Sequence, residues 1–149
     1  MKKGFTLQDV IEMLNTIPSS LANKDTTAKP AQDIEVRVSN ILRGLGVPAN
    51  IKGYYYLRFA IILTYRNRQL IENITKELYP AVAKEFQTTK SRVERAIRHA
   101  IECAWDRGDF DYLQKIAGNT VSPVRGKPTN GELIALLADS LHMEDKQQK

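Results

Sequence analysis

Residues Lys90–His99 read K-S-R-V-E-R-A-I-R-H and carry the strongest fold signal in the chain. Val93, Ile97 and Ala100 recur at helical spacing, which predicts a helix with one apolar face. Four cationic side chains and one carboxylate occupy its other faces. The preceding residues, 79–89, predict a shorter helix and a tight turn. Two helices joined by so short a turn form a helix-turn-helix, so the segment predicts that motif with a basic second helix.

The composition indicates one globular domain with a short additional segment. The chain has 149 residues, of which 42% are hydrophobic, and a net charge of +5, which is compatible with a polyanionic partner. Cys103 is the only cysteine, which excludes an intrachain disulfide and a cysteine metal site. No secretory signal is evident, and the longest apolar run, Phe59–Leu63, is too short to span a bilayer. We therefore expect a cytoplasmic protein with no membrane partner.

The apolar residues recur at helical spacing along the whole chain, and strand-like alternation is absent. This pattern predicts an all-α bundle of about six helices. We expect an amphipathic helix in residues 1–18, a linker in residues 19–32 and the main domain in residues 33–149. The motif Thr129-x-x-Glu132 is a capping box that predicts the start of the last helix. The charged residues 144–149 are expected to form a frayed tail.

The predicted helix-turn-helix makes specific demands on its first helix and its turn. Ala83 supplies the small side chain that the helix crossing needs. Gln87 occupies a position that often requires a positive φ and is commonly glycine, so we expect modest backbone strain there. Pro80 suits the first turn of a helix. It also disfavours helical geometry at Tyr79, so we expect the chain to break there, after a separate short helix at 71–78.

The outward side chains of the second helix have the chemistry that reads DNA. The N-terminal part of a recognition helix contacts base edges in the major groove. An arginine can donate two hydrogen bonds to guanine, and a carboxylate can accept one from cytosine N4. Arg95 and Glu94 are therefore predicted to contact bases. The neighbouring cations and hydroxyls suit phosphates, namely Thr88, Thr89, Lys90, Ser91, Arg92 and Arg98.

A plainer interpretation of the same residues is also open. Ser91-x-x-Glu94 is itself a capping-box pattern, in which Glu94 would bind only the start of its own helix. Arginine-rich helix faces are commonly just solvated. Spacing alone does not choose between a DNA-reading helix and a solvated one.

From Ile41 onward the chain resembles the C-terminal effector domain of the stage 0 sporulation response regulator of endospore-forming bacteria. The longest shared block is T-T-K-S-R-V-E-R-A-I-R-H-A-I-E at Thr88–Glu102. The other shared blocks are G-V-P-A at 46–49, I-K-G-Y at 51–54, I-T-K-E-L-Y-P at 74–80, A-W-D-R-G at 104–108 and K-P-T-N at 127–130.

The resemblance implies an all-helical domain that regulates transcription from a short DNA box of the TGTCGAA type, often bound as tandem copies that contact each other. It implies that Glu94 and Arg95 are the base-reading pair. The surrounding DNA contacts that it implies are Ser91, Arg92, Arg98 and His99. It also implies a contact with RNA polymerase sigma factor through residues 106–122, whose candidates are Asp106, Arg107, Asp109, Phe110, Asp111, Tyr112 and Lys115.

The N-terminal part departs from this family, whose members normally have a receiver domain there. Residues 1–32 are too short for a receiver and lack its acidic cluster and strand pattern. We expect either a receiver-less relative or part of a longer protein. Without a receiver, DNA binding would be constitutive, or controlled by concentration or by a partner.

An interaction protein is the alternative function. The apolar stripe predicted at 7–17 could bind a full-length relative or a sigma factor and block it, or could serve as a dimer surface. Packing of the stripe onto the main domain is an equally good interpretation. No nucleophile–base pair, catalytic carboxylate pair or phosphate loop is visible, so we expect no enzyme activity, cofactor or metal.

Overall fold

A computed structural model describes residues 34–107, 110–117 and 126–147. The chain divides into two units, Met1–Ile34 and Glu35–Lys149, and the architecture below is that of the second. Regular structure in the described ranges is entirely helical, which confirms the predicted all-α class. The six α-helices of these ranges are α1 (Ile34–Leu45), α2 (Lys52–Arg66), α3 (Tyr79–Phe86), α4 (Lys90–Arg107), α5 (Phe110–Ala117) and α6 (Asn130–Gln147).

The helix and linker predicted in residues 1–32 lie outside the described residues, so the domain boundary near residue 33 stays a prediction. The apolar stripe at 7–17 lies outside them as well. Among the helices that are described, none is both long and apolar enough to cross a membrane.

Helix α2 is the central element of the bundle. Leu57, Ala60 and Ile61 are fully buried, and the helix packs against α3, α4 and α6. The approach to α4 depends on Gly53, where a Cβ atom would lie 2.2 Å from the carbonyl oxygen of Ala96. Real side chains cannot occupy that space, so the glycine determines how closely α2 and α4 pack.

Two short helical turns of other types connect α2 to α3. The first is a 3₁₀ helix, Arg68–Asn73, and the second is a π-helical turn, Ile74–Leu78. The predicted break at Tyr79 is wrong, because this residue is helical with φ −60° and ψ −42° and its N–H donates to the carbonyl of Ile74. Pro80 has no backbone N–H and therefore needs no acceptor. The chain changes from the wide π turn to α geometry at this residue, so the change leaves no backbone donor without a hydrogen bond.

Helix α6 begins at the predicted capping box. The Thr129 N–H donates to Glu132 Oε1 at 3.0 Å, and the Glu132 N–H donates to Thr129 Oγ1 at 3.1 Å. Leu133, Leu137 and Leu141 are fully buried, as their spacing predicts. The two reciprocal bonds satisfy backbone donors that a helix start otherwise leaves unpaired, and so they fix where α6 begins.

The far end of α6 is not the frayed tail that was predicted. The helix continues to Gln147. The Arg37 guanidinium of α1 pairs with Glu144 at 2.7 Å and with Asp145 at 2.8 Å. These two pairs join the end of α6 to α1, and therefore the last turns stay helical.

Candidate nucleic-acid interface

The turn between α3 and α4 has the geometry that a helix-turn-helix requires. Gln87 has φ 55° and ψ 51°, and within the described ranges it is the sole non-glycine residue with a positive φ. The Thr88 N–H donates to the carbonyl of Ala83 at 2.9 Å, which closes the end of α3. The left-handed turn predicted at Gln87 is therefore confirmed, and it costs about 1 kcal/mol relative to glycine.

The start of α4 is capped by Thr89. Its Oγ1 accepts a hydrogen bond from the Arg92 N–H at 3.2 Å. The Ser91-x-x-Glu94 pattern therefore does not cap this helix. The carboxylate of Glu94 pairs instead with Arg98 one turn later, at 3.5 Å. Capping thus does not explain Glu94, and its carboxylate lies on the outer part of the helix.

The apolar face of α4 is buried as its spacing predicts. The inward residues are each at most 2% exposed, and they are Val93, Ile97, Ala100, Ile101 and Ala104. They pack towards α2 and α3. Because a helix turns about 100° per residue, burying this stripe leaves Arg92, Arg95 and Arg98 on the other sides of the helix, and Lys90 is exposed as its first residue.

The first turns of α4 carry exposed cations that have no counterion in the described part of the chain. Lys90, Arg92 and Arg95 are exposed, and none of the three has an ion-pair partner among the described residues. Ser91, Arg98 and His99 are also exposed. Cations that lie close together in the first turns of one helix create a positive potential that attracts a polyanion. The turn between α3 and α4 adds Thr88 and Thr89.

A groove brings together most of the residues predicted to touch DNA. Its lining consists of Lys90, Ser91, Glu94, Arg95, Arg98, Thr75 and Tyr79. The predicted base-reading pair therefore lies among the predicted phosphate contacts. The other predicted contacts lie outside this groove, namely Thr88, Thr89, Arg92 and His99. Thr75 and Tyr79 were not predicted to lie at this site. Their residue types do not indicate DNA binding, but both belong to the I-T-K-E-L-Y-P block that the chain shares with the family, and that block could have identified them.

Sequence reasoning also missed Asn130, the first residue of α6. Its side chain is buried, and its Nδ2 donates to Tyr79 Oη and to the backbone carbonyl of Glu94, both at 3.0 Å. Burial raises the pKa of Tyr79, the hydrogen bond from Asn130 opposes that shift, and the Glu94 carboxylate adds to it. The hydroxyl of Tyr79 therefore stays protonated at neutral pH.

The residues proposed by resemblance to contact a sigma factor fall into two groups. Asp106, Arg107, Asp111 and Lys115 are exposed. Tyr112, by contrast, packs its ring against Gly44 and donates its O–H to the carbonyl of Asn40 at 3.4 Å. Tyr112 therefore attaches α5 to α1. Asp109 and the side chain of Phe110 lie outside the described residues.

No set of three His, Cys, Asp or Glu side chains suited to a metal ion occurs in the part of the chain that the structure describes. His99 Nε2 lies 3.6 Å from Cys103 Sγ, one helical turn away, and makes a weak contact with it.

One comparison with known proteins bears on this interface. A family model described as "Sporulation initiation factor Spo0A C terminal" matches residues 38–141. The match begins inside α1 and ends inside α6, so it includes the whole of α2 to α5 and the groove at α4.

Proposed function

Since the chain belongs to the Spo0A C-terminal family of sporulation-regulator DNA-binding effector domains, we propose that it reads a short TGTCGAA-type box in double-stranded DNA. The observation that carries this proposal is the outer face of α4. There Lys90, Arg92 and Arg95 have no counterion among the described residues, and Glu94 lies beside them.

In this proposal, Glu94 and Arg95 share the reading of bases. Arg95 is exposed and has no ion-pair partner among the described residues, so it can donate two hydrogen bonds to guanine without first breaking such a pair. The Glu94 carboxylate is 39% exposed and pairs only loosely with Arg98, at 3.5 Å. Such a surface pair is weak, so the carboxylate can accept from cytosine N4 while Arg98 turns to a phosphate.

The remaining polar residues of the interface orient the domain on DNA. Lys90 and Arg92 are long cations that reach phosphates, and their contribution does not depend on sequence. The hydroxyls of Thr88, Thr89 and Ser91 and the ring of His99 are suited to the same backbone. Together these residues would position α4 in the major groove, and Glu94 with Arg95 would supply discrimination.

The direct test is binding of the purified chain to labelled duplexes. A duplex that carries the TGTCGAA-type box should bind at least tenfold more tightly than a scrambled duplex of equal length and composition, about the specificity of one or two base contacts. Both affinities must be measured at one salt concentration, because phosphate contacts make each of them salt-dependent. Equal affinity for the two duplexes would refute the proposal.

Contacts with other proteins are a further part of the proposal. Asp106, Asp111 and Lys115 are exposed and available for RNA polymerase sigma factor, and tandem boxes would bring two copies of the domain side by side. Reversing the charge at Asp111 to Lys should reduce transcription from a box-containing promoter and leave DNA affinity unchanged. Unchanged transcription would remove Asp111 from the proposed contact.

A further inference from the structure

Asn130 joins three helices through a single amide group. It stands at the start of α6, donates to Tyr79 Oη in the first turn of α3, and donates to the backbone carbonyl of Glu94 in α4. We propose that Asn130 is a positioning residue that determines sequence specificity by fixing the backbone of α4 at Glu94. The inference rests on the proposed function, because specificity exists only if α4 reads DNA.

The chemistry of the contact requires an amide. A backbone carbonyl can only accept, so the atom that faces Glu94 must be the NH₂ group of Asn130. That group has two hydrogens, and each one has an acceptor at 3.0 Å. An aspartate at the same position would keep the shape but would have no hydrogen to donate to the Glu94 carbonyl. The bond to Glu94 therefore depends on the residue type and not on its size.

The segment that carries Asn130 is held by its own capping box. The hydrogen bonds between Thr129 and Glu132 fix the residues on either side of Asn130. Lys127, three residues earlier, pairs with Glu102 of α4 at 3.1 Å. Both side chains of this pair are exposed, so it is a weak second contact, about 12 Å along the helix axis from Glu94. The buried amide of Asn130 is therefore the main link between the start of α6 and α4.

The two classes of DNA contact differ in how much they depend on this attachment. A bidentate hydrogen bond to a base needs nearly linear geometry and weakens steeply when the donor is displaced. A lysine or arginine that meets a phosphate can follow a small displacement by changing rotamer. Loss of the Asn130 amide should therefore reduce discrimination between sequences far more than it reduces non-specific affinity.

The test compares Asn130→Ala, Asn130→Asp and Tyr79→Phe with the control Tyr65→Phe. The control removes one hydrogen bond at the opposite end of α6 and leaves the Glu94 carbonyl bonded. Each folded variant is titrated with the box duplex and with the scrambled duplex. Asn130→Ala should lose about tenfold on the box, the value of one base contact, and at most about twofold on the scrambled duplex. Asn130→Asp should lose the same discrimination, with a further loss on both duplexes because its carboxylate is negative. The control should keep the wild-type ratio.

Unchanged discrimination in a folded Asn130→Ala variant would overturn the inference, as would equal loss on both duplexes. If that variant does not fold, Asn130→Asp carries the test, since it keeps the shape of the side chain and can accept from the Tyr79 hydroxyl but cannot donate to the Glu94 carbonyl. Tyr79→Phe leaves the Glu94 carbonyl bonded, so it should lose less discrimination than either Asn130 variant. An equal or larger loss would assign the effect to Tyr79 in the groove and overturn the inference.

Amide hydrogen exchange separates failure of this inference from failure of the proposed function. In the free protein, Asn130→Ala should exchange faster than Tyr65→Phe at the amides after Glu94, notably Arg98. If the wild type does not discriminate between the two duplexes, the proposed function fails. Faster exchange in Asn130→Ala would then still show that Asn130 positions α4, without a link to DNA specificity. Equal exchange in the two variants would overturn that role too.

Discussion

The two ends of α6 are attached to the bundle by different chemistry. At its start, the link to α4 is the buried neutral amide of Asn130, together with one exposed ion pair between Lys127 and Glu102. At its far end, Arg37 of α1 is paired with both Glu144 and Asp145. A buried neutral hydrogen bond is thus the main attachment where we propose that the domain binds DNA, and ion pairs are the main attachment at the other end.

The paired end has a defined electrostatic consequence. Burial alone would raise the pKa of Asp145, but hydrogen bonds from Tyr65 and Arg37 outweigh it, and the pKa is lowered. A lowered pKa in the folded state contributes stability above the ordinary carboxyl pKa. That contribution is lost as the pH falls through the lowered value. The ring of His142 also stacks on Tyr65, with centroids 4.4 Å apart.

The largest effect is expected from disrupting the packing between α2 and α4. Gly53→Ala places a Cβ against the carbonyl oxygen of Ala96, so α2 and α4 must separate. We expect a loss of about 3 kcal/mol in the free energy of unfolding, at the upper end for overpacking, because the neighbour is backbone. Thermal or urea unfolding measures it. Gly131→Ala is the matched control, since its nearest neighbour is Ile74 Cδ1 at 3.5 Å, and it should be neutral or stabilising.

The next largest effect is expected from removing Arg95, which has no ion-pair partner among the described residues and which we assign to base reading. Arg95→Ala should cost about 2 kcal/mol of discrimination for the box over other sequences, the value of one bidentate contact. Arg95→Lys keeps the charge but not the fork of donors, so it should keep non-specific affinity and still lose most of the discrimination. Full discrimination by the lysine variant would show that Arg95 acts only through its charge.

A smaller effect tests the paired end. Tyr65→Phe removes the hydrogen bond to Asp145 and should lower the free energy of unfolding by about 1 kcal/mol at neutral pH, because the carboxylate is partly exposed. The difference from wild type should shrink as the pH falls through the lowered pKa of Asp145. DNA discrimination should not change. Unfolding curves from neutral to acid pH measure this, and a difference that grows on acidification would contradict it.

The smallest effect is expected from removing Lys90, and it tests which residues contact bases and which contact phosphates. Lys90→Ala should weaken binding to the box and to a scrambled duplex alike. The slope of log affinity against log salt should become shallower by about 0.9, the value of one phosphate contact. Titrations at three or four salt concentrations measure it. A loss confined to the box would move Lys90 from phosphate contact to base reading.

The sequence predicted the parts of this fold that depend on local pattern. The inward residues of α4, the left-handed turn at Gln87 and the capping box at Thr129 each follow from a few neighbouring residues. Periodicity determines which face of a helix is buried, and a tight turn demands a particular backbone conformation. These predictions hold because no distant residue is needed to make them.

Two of the missed features depend on contacts between distant residues. Glu144 bonds to Arg37 across 107 positions, so its charged segment resembled a solvated tail in the sequence. Asn130 meets Glu94 across 36 positions, and nothing in either residue type identifies the other as its partner. Local rules do not contain these two pairings. The break expected at Tyr79 failed for a local reason, because a π turn at Ile74–Leu78 keeps the chain helical up to Pro80.

The central claim is that Glu94 and Arg95 of α4 read bases, and selection from random duplexes tests it most directly. The wild type should enrich one short motif of the TGTCGAA type. Arg95→Ala should lose preference at one or two adjacent positions and keep the rest of the motif. Enrichment of no motif by the wild type, or an identical motif from the variant, would contradict the claim.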